Sequence, residues 1–160
     1  MSENITMNEE LVRVDNLVKY YSVKGGVLRR EIAQVKAVDD VSFTINKGET
    51  LGLVGESGCG KTTVGHTMLQ LRQHTSGSVT FEGKDVLSLK GVALKEMRRK
   101  MQIVFQDPYA SLDPRLPVGE SIAEGLVIHK MGNAKERSAI VMQNLKKVGL
   151  QHFHANRYPH

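Results

Sequence analysis

The sequence predicts an α/β fold. Three observations carry this: two early segments that alternate apolar and polar residues, a short apolar run ending at glycine, and helical periodicity between that run and a second one like it. Residues 11–21 and 36–45 alternate as half-buried antiparallel strands do. Between them, residues 22–34 carry Gly25-Gly26 and Arg29-Arg30 and read as a long loop or insertion. Residues 50–54 are nearly all apolar and end at Gly55, as expected of a strand buried on both faces of a parallel sheet, and residues 101–105 read the same way. Residues 61–71 and 92–100 have helical patterns, and residues 78–81 form a short strand before a turn at Gly83.

Beyond Pro108 the character changes. Residues 109–114 are turn-rich, and Pro117 suits the first turn of a helix that places Val118, Ile122 and Leu126 on one face. In the next helix Asn133 and Glu136 have the spacing of an N-cap and its reciprocal carboxylate. Its apolar stripe is Ile140, Val141, Leu145 and Val148, and Lys146, Lys147 and Gly149 mark its end. One domain is expected from 160 residues: a β-rich flank over 1–50 with an insertion at 22–34, a central part over 51–106, and the start of a helical part over 107–160.

Twenty-two Lys and Arg against 17 Asp and Glu give a net charge of +5, which favours anionic partners without naming one. No basic stripe interleaved with aromatics is visible, so nucleic acid is not an expected partner. A single cysteine, Cys59, excludes an internal disulfide and suits a reducing compartment. The acidic start lacks the basic and apolar regions of a signal peptide, and no run of about 18 apolar residues occurs, so a cytosolic chain is expected. His152, His154 and His160 crowd the tail without a companion cysteine, and a solvated tail rather than a metal site is the expectation.

The run Gly55-Glu56-Ser57-Gly58-Cys59-Gly60-Lys61-Thr62 fits G-x-x-x-x-G-K-[ST] without a mismatch, with Thr63 behind it. It follows a predicted buried strand and opens a predicted helix, an arrangement in which backbone N–H groups and a helix N-terminus converge on phosphate oxygens. Glycines allow positive φ and close approach of the backbone. Lys61 brings a point charge to the β and γ phosphates of a nucleotide, and the Thr62 hydroxyl is the expected Mg²⁺ ligand. Cys59 sits inside this loop, beside Lys61 and near the helix N-terminus.

Such a loop alone does not choose among kinases, GTPases and other ATPases. The runs Tyr20-Tyr21-Ser22-Val23-Lys24-Gly25-Gly26, Lys36-Ala37-Val38-Asp39-Asp40-Val41-Ser42-Phe43 and Lys47-Gly48-Glu49-Thr50-Leu51-Gly52-Leu53-Val54, followed by the loop itself, resemble ABC transporter ATPases. Specifically they are similar to the ATP-binding subunits of bacterial oligopeptide and dipeptide permeases. Ile103-Val104-Phe105-Gln106-Asp107-Pro108-Tyr109-Ala110-Ser111-Leu112-Asp113-Pro114-Arg115 is similar to the Q-loop stretch of that subfamily.

The resemblance implies an ABC-type P-loop NTPase, in which an antiparallel flank, a parallel-sheet core and the start of a helical subdomain bind ATP with Mg²⁺. Tyr21 is then the aromatic that stacks on adenine, with Tyr20 the runner-up, and the alternative is that both tyrosines cover the sheet. Gln106 is then the catalytic-site glutamine that reaches Mg²⁺ or the attacking water. A competing reading makes residues 103–107 a degenerate carboxylate strand with Asp107 on the metal. Further implications are a second ATP-binding subunit, two transmembrane permease subunits, and a position at the cytoplasmic face of the bacterial inner membrane.

The Ser-Gly-Gly-Gln signature, the Walker B carboxylates and the switch histidine of that family are not in this sequence. The expectation is therefore a fragment that binds nucleotide, does not hydrolyse ATP alone, is marginally stable and self-associates.

Overall fold

The computed structural model describes residues 9–26, 30–107 and 111–159. It packs as two units, one up to Gln102 and one from Ile103 onward. The first unit contains an antiparallel sheet in the order β2-β1-β3-β4, formed by β1 (Glu10–Gly25), β2 (Arg30–Asn46), β3 (Ser76–Phe81) and β4 (Lys84–Asp85). Two helices accompany it, α1 (Lys61–Met68) and α2 (Gly91–Lys100).

The central strand β1 shows how alternation becomes a core. Val12 and Val14 lie opposite Ile45 and Phe43 on one side and Phe81 and Val79 on the other. Cross-strand neighbours share a sheet face, so this register gathers the apolar side chains while Arg13 turns outward to pair with Glu10. Val14, Leu17, Val79 and Val86 are almost completely buried and form one cluster with Val38, Val64 and Met97. Each such aliphatic contributes roughly 1.5–3 kcal/mol by leaving water.

Register slips punctuate the β1–β2 ladder. Asn16 and Asp40 both adopt positive φ, 47° and 56°, where a short polar side chain tolerates the left-handed conformation best. Asn16 Nδ2 donates to Asp40 Oδ1 at 2.7 Å, and the Asn16 N–H donates to Ser42 Oγ at 2.8 Å, so the irregularity is hydrogen-bonded rather than open. A second slip falls between the pairs Lys19↔Val38 and Tyr20↔Lys36, which leaves Ala37 as an extra residue on β2.

Three sequence expectations need correction. The segment 22–34 is no loop: residues 22–25 and 30–34 pair with one another and prolong the hairpin, while residues 27–29 lie outside the described residues. Gly25-Gly26 signalled a turn correctly, but the strands run right up to it. Residues 50–54 and 101–105 form no strand, and no parallel pairing occurs among the described residues. Leu51 and Leu53 are partly exposed, and Val54 and Val104 are almost fully so, at 94% and 95%. A parallel strand exists only with hydrogen-bonded neighbours on its flanks, and these runs have none here. Helix α1 also stops at Met68 rather than residue 71, where Gln70 with φ 51° turns the chain.

The second unit is helical, with α3 (Val118–Ile128), α4 (Ala134–Lys147) and a 3-10 turn over His152–Asn156. Asn133 accepts from the Glu136 N–H at 3.1 Å, and Glu136 accepts from the Asn133 N–H at 2.7 Å, the reciprocal cap expected from the spacing. Val141 and Leu145 pack with Ala155 against Val118, Ile122, Ala123 and Leu126. Val148, expected in that stripe, is 71% exposed because α4 ends at Lys147 and the chain turns away. Gly119 lets α3 close onto the 3-10 turn, since a Cβ there would meet the Ala155 carbonyl at 3.0 Å. Of the turn predicted over 109–114, residues 109 and 110 lie outside the described residues, as does His160.

Ahead of α3, Arg115 grips Asp113 with two guanidinium nitrogens, at 3.1 and 2.9 Å, and with its own backbone N–H at 2.9 Å. The side-chain hydrogen bond from Arg115, helped by the backbone one, lowers the Asp113 pKa from 3.8 to about 2. A lowered folded-state value means the interaction supports the fold at neutral pH and is lost as pH falls from about 4 towards 2. An NMR carboxyl titration of Asp113 should show its midpoint near 2. In Arg115→Ala the midpoint should climb towards 3.8 without reaching it, because the backbone donor stays. An unchanged midpoint would refute the pairing.

Candidate functional site

The loop over residues 55–62 connects the exposed run 51–54 to α1. Gly58 and Gly60 both hold positive φ, 82° and 103°, and so coil the backbone tightly before the helix starts. Gly60 is the N-cap of α1 and supplies no side-chain cap, and the first turn carries no acidic residue. The leading N–H groups of α1 are therefore left for an external acceptor, at the end of the helix where the dipole favours negative charge.

Gly60 also lies hard against the sheet. A Cβ there would come within 2.1 Å of the Ala37 carbonyl oxygen and 3.9 Å of Val38 Cγ2. The bulge residue of β2 thus forms one wall of the loop, and Ala37, Gly58, Gly60, Lys61, Thr62 and Thr63 line a recess of about 140 Å³. No feature of an alanine code marked this role in the sequence, because the contact is made by backbone.

Lys61 reaches back along the loop. Its ammonium donates to the carbonyls of Gly55 at 2.7 Å and Glu56 at 2.6 Å and lies 3.4 Å from Cys59 Sγ. The charge is thereby held over the coil, within the span of the loop's own backbone. Cys59 is exposed and fills the space that a Cβ on Gly55 would need, 2.6 Å from its Sγ. Thr62 is exposed on the first turn of α1, Thr63 is half-buried, and Glu56 and Ser57 are exposed on the outer turn. Small residues, one ammonium and a free helix N-terminus fit the phosphates of a nucleotide, and an exposed Thr hydroxyl at that position fits a hard cation shared with them.

The two tyrosines are separated by the pleat. Leu17, Lys19 and Tyr21 alternate on one face of β1; Leu17 lies in the core with Val38 and Val64, and Lys19 pairs directly with Val38. Tyr21 therefore shares the face on which the loop and α1 sit, is 37% exposed, and has Lys19 Nζ 4.5 Å from its ring centroid. Tyr20 points to the other face, where its hydroxyl donates to Asp39. Gln106 is exposed and belongs to the second unit, as does Asp107, and no strand precedes Asp107 to place it as a strand-end carboxylate. Among the described residues no group of three His, Cys, Asp or Glu gathers as a metal site, and no helix is long and apolar enough to cross a membrane.

A glycine-rich coil closing onto a helix N-terminus is the architecture of an anion-binding loop. The ABC transporter family model matches residues 38–160, and the chain belongs to that family. It is 51% identical over 156 residues to the oligopeptide transport ATP-binding protein OppF of Bacillus subtilis, covering 96% of this chain and 49% of that protein. It is 50% identical over 152 residues to the glutathione import ATP-binding protein GsiA of Pectobacterium atrosepticum, covering 95% of this chain and 24% of the relative. The chain thus spans half or less of the length of these relatives. The dimeric ATP-binding cassette MJ0796, solved in a post-hydrolysis state with ADP and Pi, superposes with a TM-score of 0.73 at 27% identity, over 93% of this chain and 62% of that one.

Close approach, not only positive φ, sets the requirement at Gly60, and the two glycines separate these causes. Gly58→Ala meets nothing within 4 Å and should cost only the strain of positive φ, roughly 1–2 kcal/mol. Gly60→Ala should cost distinctly more, because β2 must also move away. Equal shifts in denaturant midpoint for the two variants would show that the Ala37 contact imposes nothing.

Proposed function

We propose that the chain forms the nucleotide-binding part of the ATP-binding subunit of an ABC importer, coupling Mg-ATP to the uptake of peptides or peptide-like solutes. The observation that carries this is the loop itself: positive-φ glycines, an uncapped helix N-terminus and the Lys61 ammonium held over one small recess. The resemblance to OppF and GsiA supplies the solute class, since the first is named an oligopeptide transport and the second a glutathione import ATP-binding protein.

In this reading the backbone N–H groups of residues 58–63 receive the β and γ phosphates. Lys61 exchanges its carbonyl contacts for phosphate oxygens, trading neutral acceptors for charged ones in a stronger hydrogen bond. Tyr21 stacks on adenine, and its position on the core face of β1 rather than the outer face favours it over Tyr20. Thr62 would hold Mg²⁺, which would supply charge neutralisation to the phosphoryl oxygens. The subunit works beside a second ATP-binding subunit and two transmembrane permease subunits at the cytoplasmic face of the inner membrane. The solved dimer with ADP and Pi supports the pairing.

Titration calorimetry with ATP and Mg²⁺ tests the reading. Lys61→Ala should weaken binding at least about tenfold, as expected for loss of a charge-assisted contact worth ~1.5–3 kcal/mol. Wild-type affinity in that variant would refute the site.

Cys59 offers an independent check. Alkylation of this exposed thiol places bulk inside the coil and should abolish binding, and ATP should in turn protect it from the reagent. Full modification with undiminished affinity would place the nucleotide elsewhere.

A further inference from the structure

We propose that Tyr20, Lys36 and Asp39 are positioning residues for the phosphate loop: acting from the face of the sheet opposite to the loop, they fix the β2 bulge whose Ala37 carbonyl packs on Gly60. The inference rests on the reading of residues 55–63 as a nucleotide-phosphate site.

The reason such a device is needed is local. Ala37 is the extra residue in a register slip and has no cross-strand partner in the β1–β2 ladder. An unpaired bulge residue is free to aim its carbonyl away from the sheet, and equally free to shift. Gly60 leaves no slack on the other side, with space for a Cβ already occupied by that carbonyl at 2.1 Å. A shift of the bulge towards the loop therefore bears directly on Gly60, the residue from which α1 starts.

Three side chains bracket the bulge. Lys36 and Asp39 flank Ala37 and Val38 on β2 and form an ion pair across them, Nζ to Oδ2 at 3.2 Å. The Tyr20 hydroxyl reaches across from β1 and donates to the other oxygen of the same carboxylate. Lys36 Nζ also lies 5.2 Å from the centroid of the Tyr20 ring, so each of the three touches the other two. The hydrogen bond to Asp39 raises the Tyr20 pKa, and the hydrogen bond from Tyr20, then that from Lys36, lowers the Asp39 pKa.

Tyr20 is itself anchored. Its backbone N–H donates to Thr75 Oγ1 at 2.9 Å, and the Thr75 N–H donates to the Val18 carbonyl at 2.8 Å, tying it to the approach to β3. The clamp thus links the bulge to the middle of the sheet. A single exposed ion pair restrains little, but three mutually contacting groups on adjacent strands restrain more than any one pair. The side chains of Lys36 and Asp39 remain 61% and 50% exposed, so the expected effect is a tuning of affinity and not its loss.

The experiment measures affinity of the 160-residue chain for two probes, ATP and inorganic tripolyphosphate, in Tyr20→Phe, Asp39→Asn and the double variant, with Lys36→Gln as a further single change. Tripolyphosphate has no base and cannot report on Tyr21. If the clamp acts through the loop, each single variant should weaken both probes to the same degree, by about three- to tenfold. The double variant should be no weaker than the worse single, as expected of residues acting as one unit. Weakening of ATP alone would mean that the variants act through the adjacent Tyr21 and would overturn the proposal, as would lowered melting temperatures with both affinities intact. Lys61→Ala run in parallel separates the two levels. If it leaves both probes bound, the phosphate-site reading itself fails; if it weakens both while the clamp variants do not, the clamp alone fails.

Discussion

The contact between the Ala37 carbonyl and Gly60 is the constraint around which the first unit is arranged. A strand bulge normally disturbs only its own ladder. Here it brings a backbone oxygen to within 2.1 Å of where a side chain on the loop would begin, so sheet and loop meet with no atom between them. Glycine at that position is required twice over, by φ of 103° and by lack of room. Because Gly60 is also the N-cap of α1, the direction in which the helix leaves the loop is set against the edge of the sheet. Val64, one turn into α1, then drops into the same cluster as Val38 and Leu17.

The strand β1 serves that arrangement with both of its faces. Leu17 is buried on one face and continues through Lys19 to Tyr21, while Tyr20 on the other face holds Asp39. Neighbouring residues in the chain thereby take unrelated tasks, one towards the recess and one towards the back of the bulge. A one-residue slip of β1 would exchange them, and the paired irregularity at Asn16 and Asp40, with its own hydrogen bonds, helps fix the register against such a slip.

Much of this was legible in the sequence, in proportion to how local the determining physics is. The coil over residues 55–62 could be read because its positive-φ turns before the helix demand glycine at fixed spacing. The Asn133–Glu136 cap could be read for the same reason, since its partners sit three residues apart. The apolar character of residues 50–54 and 101–105 is plain in the sequence but their lack of pairing is not, because strand formation depends on neighbours remote in sequence. The outer hairpin was hidden by Gly25-Gly26 and Arg29-Arg30, whose turn signal outweighed the alternation around it. Ala37 and the Tyr20–Asp39 bond left no trace, the first because it acts through backbone, the second because it depends on a slip in register.

The length of that hairpin carries a consequence of its own. β3 accompanies β1 only as far as Val18, and beyond the Tyr20–Thr75 hydrogen bond the hairpin is, among the described residues, a ribbon of two strands held by one ladder. Two-stranded ribbons twist more strongly than sheets and have little independent stability. Opening free energy should therefore decline along β1, from the value of the core at Leu17 to almost none near Gly25, in the manner of a zipper that frays from its far end. Tyr20 and Tyr21 sit where that gradient begins. Under the proposed reading, an adenine ring stacked on Tyr21 would act as a clasp near the root of that zipper and slow fraying towards its tip.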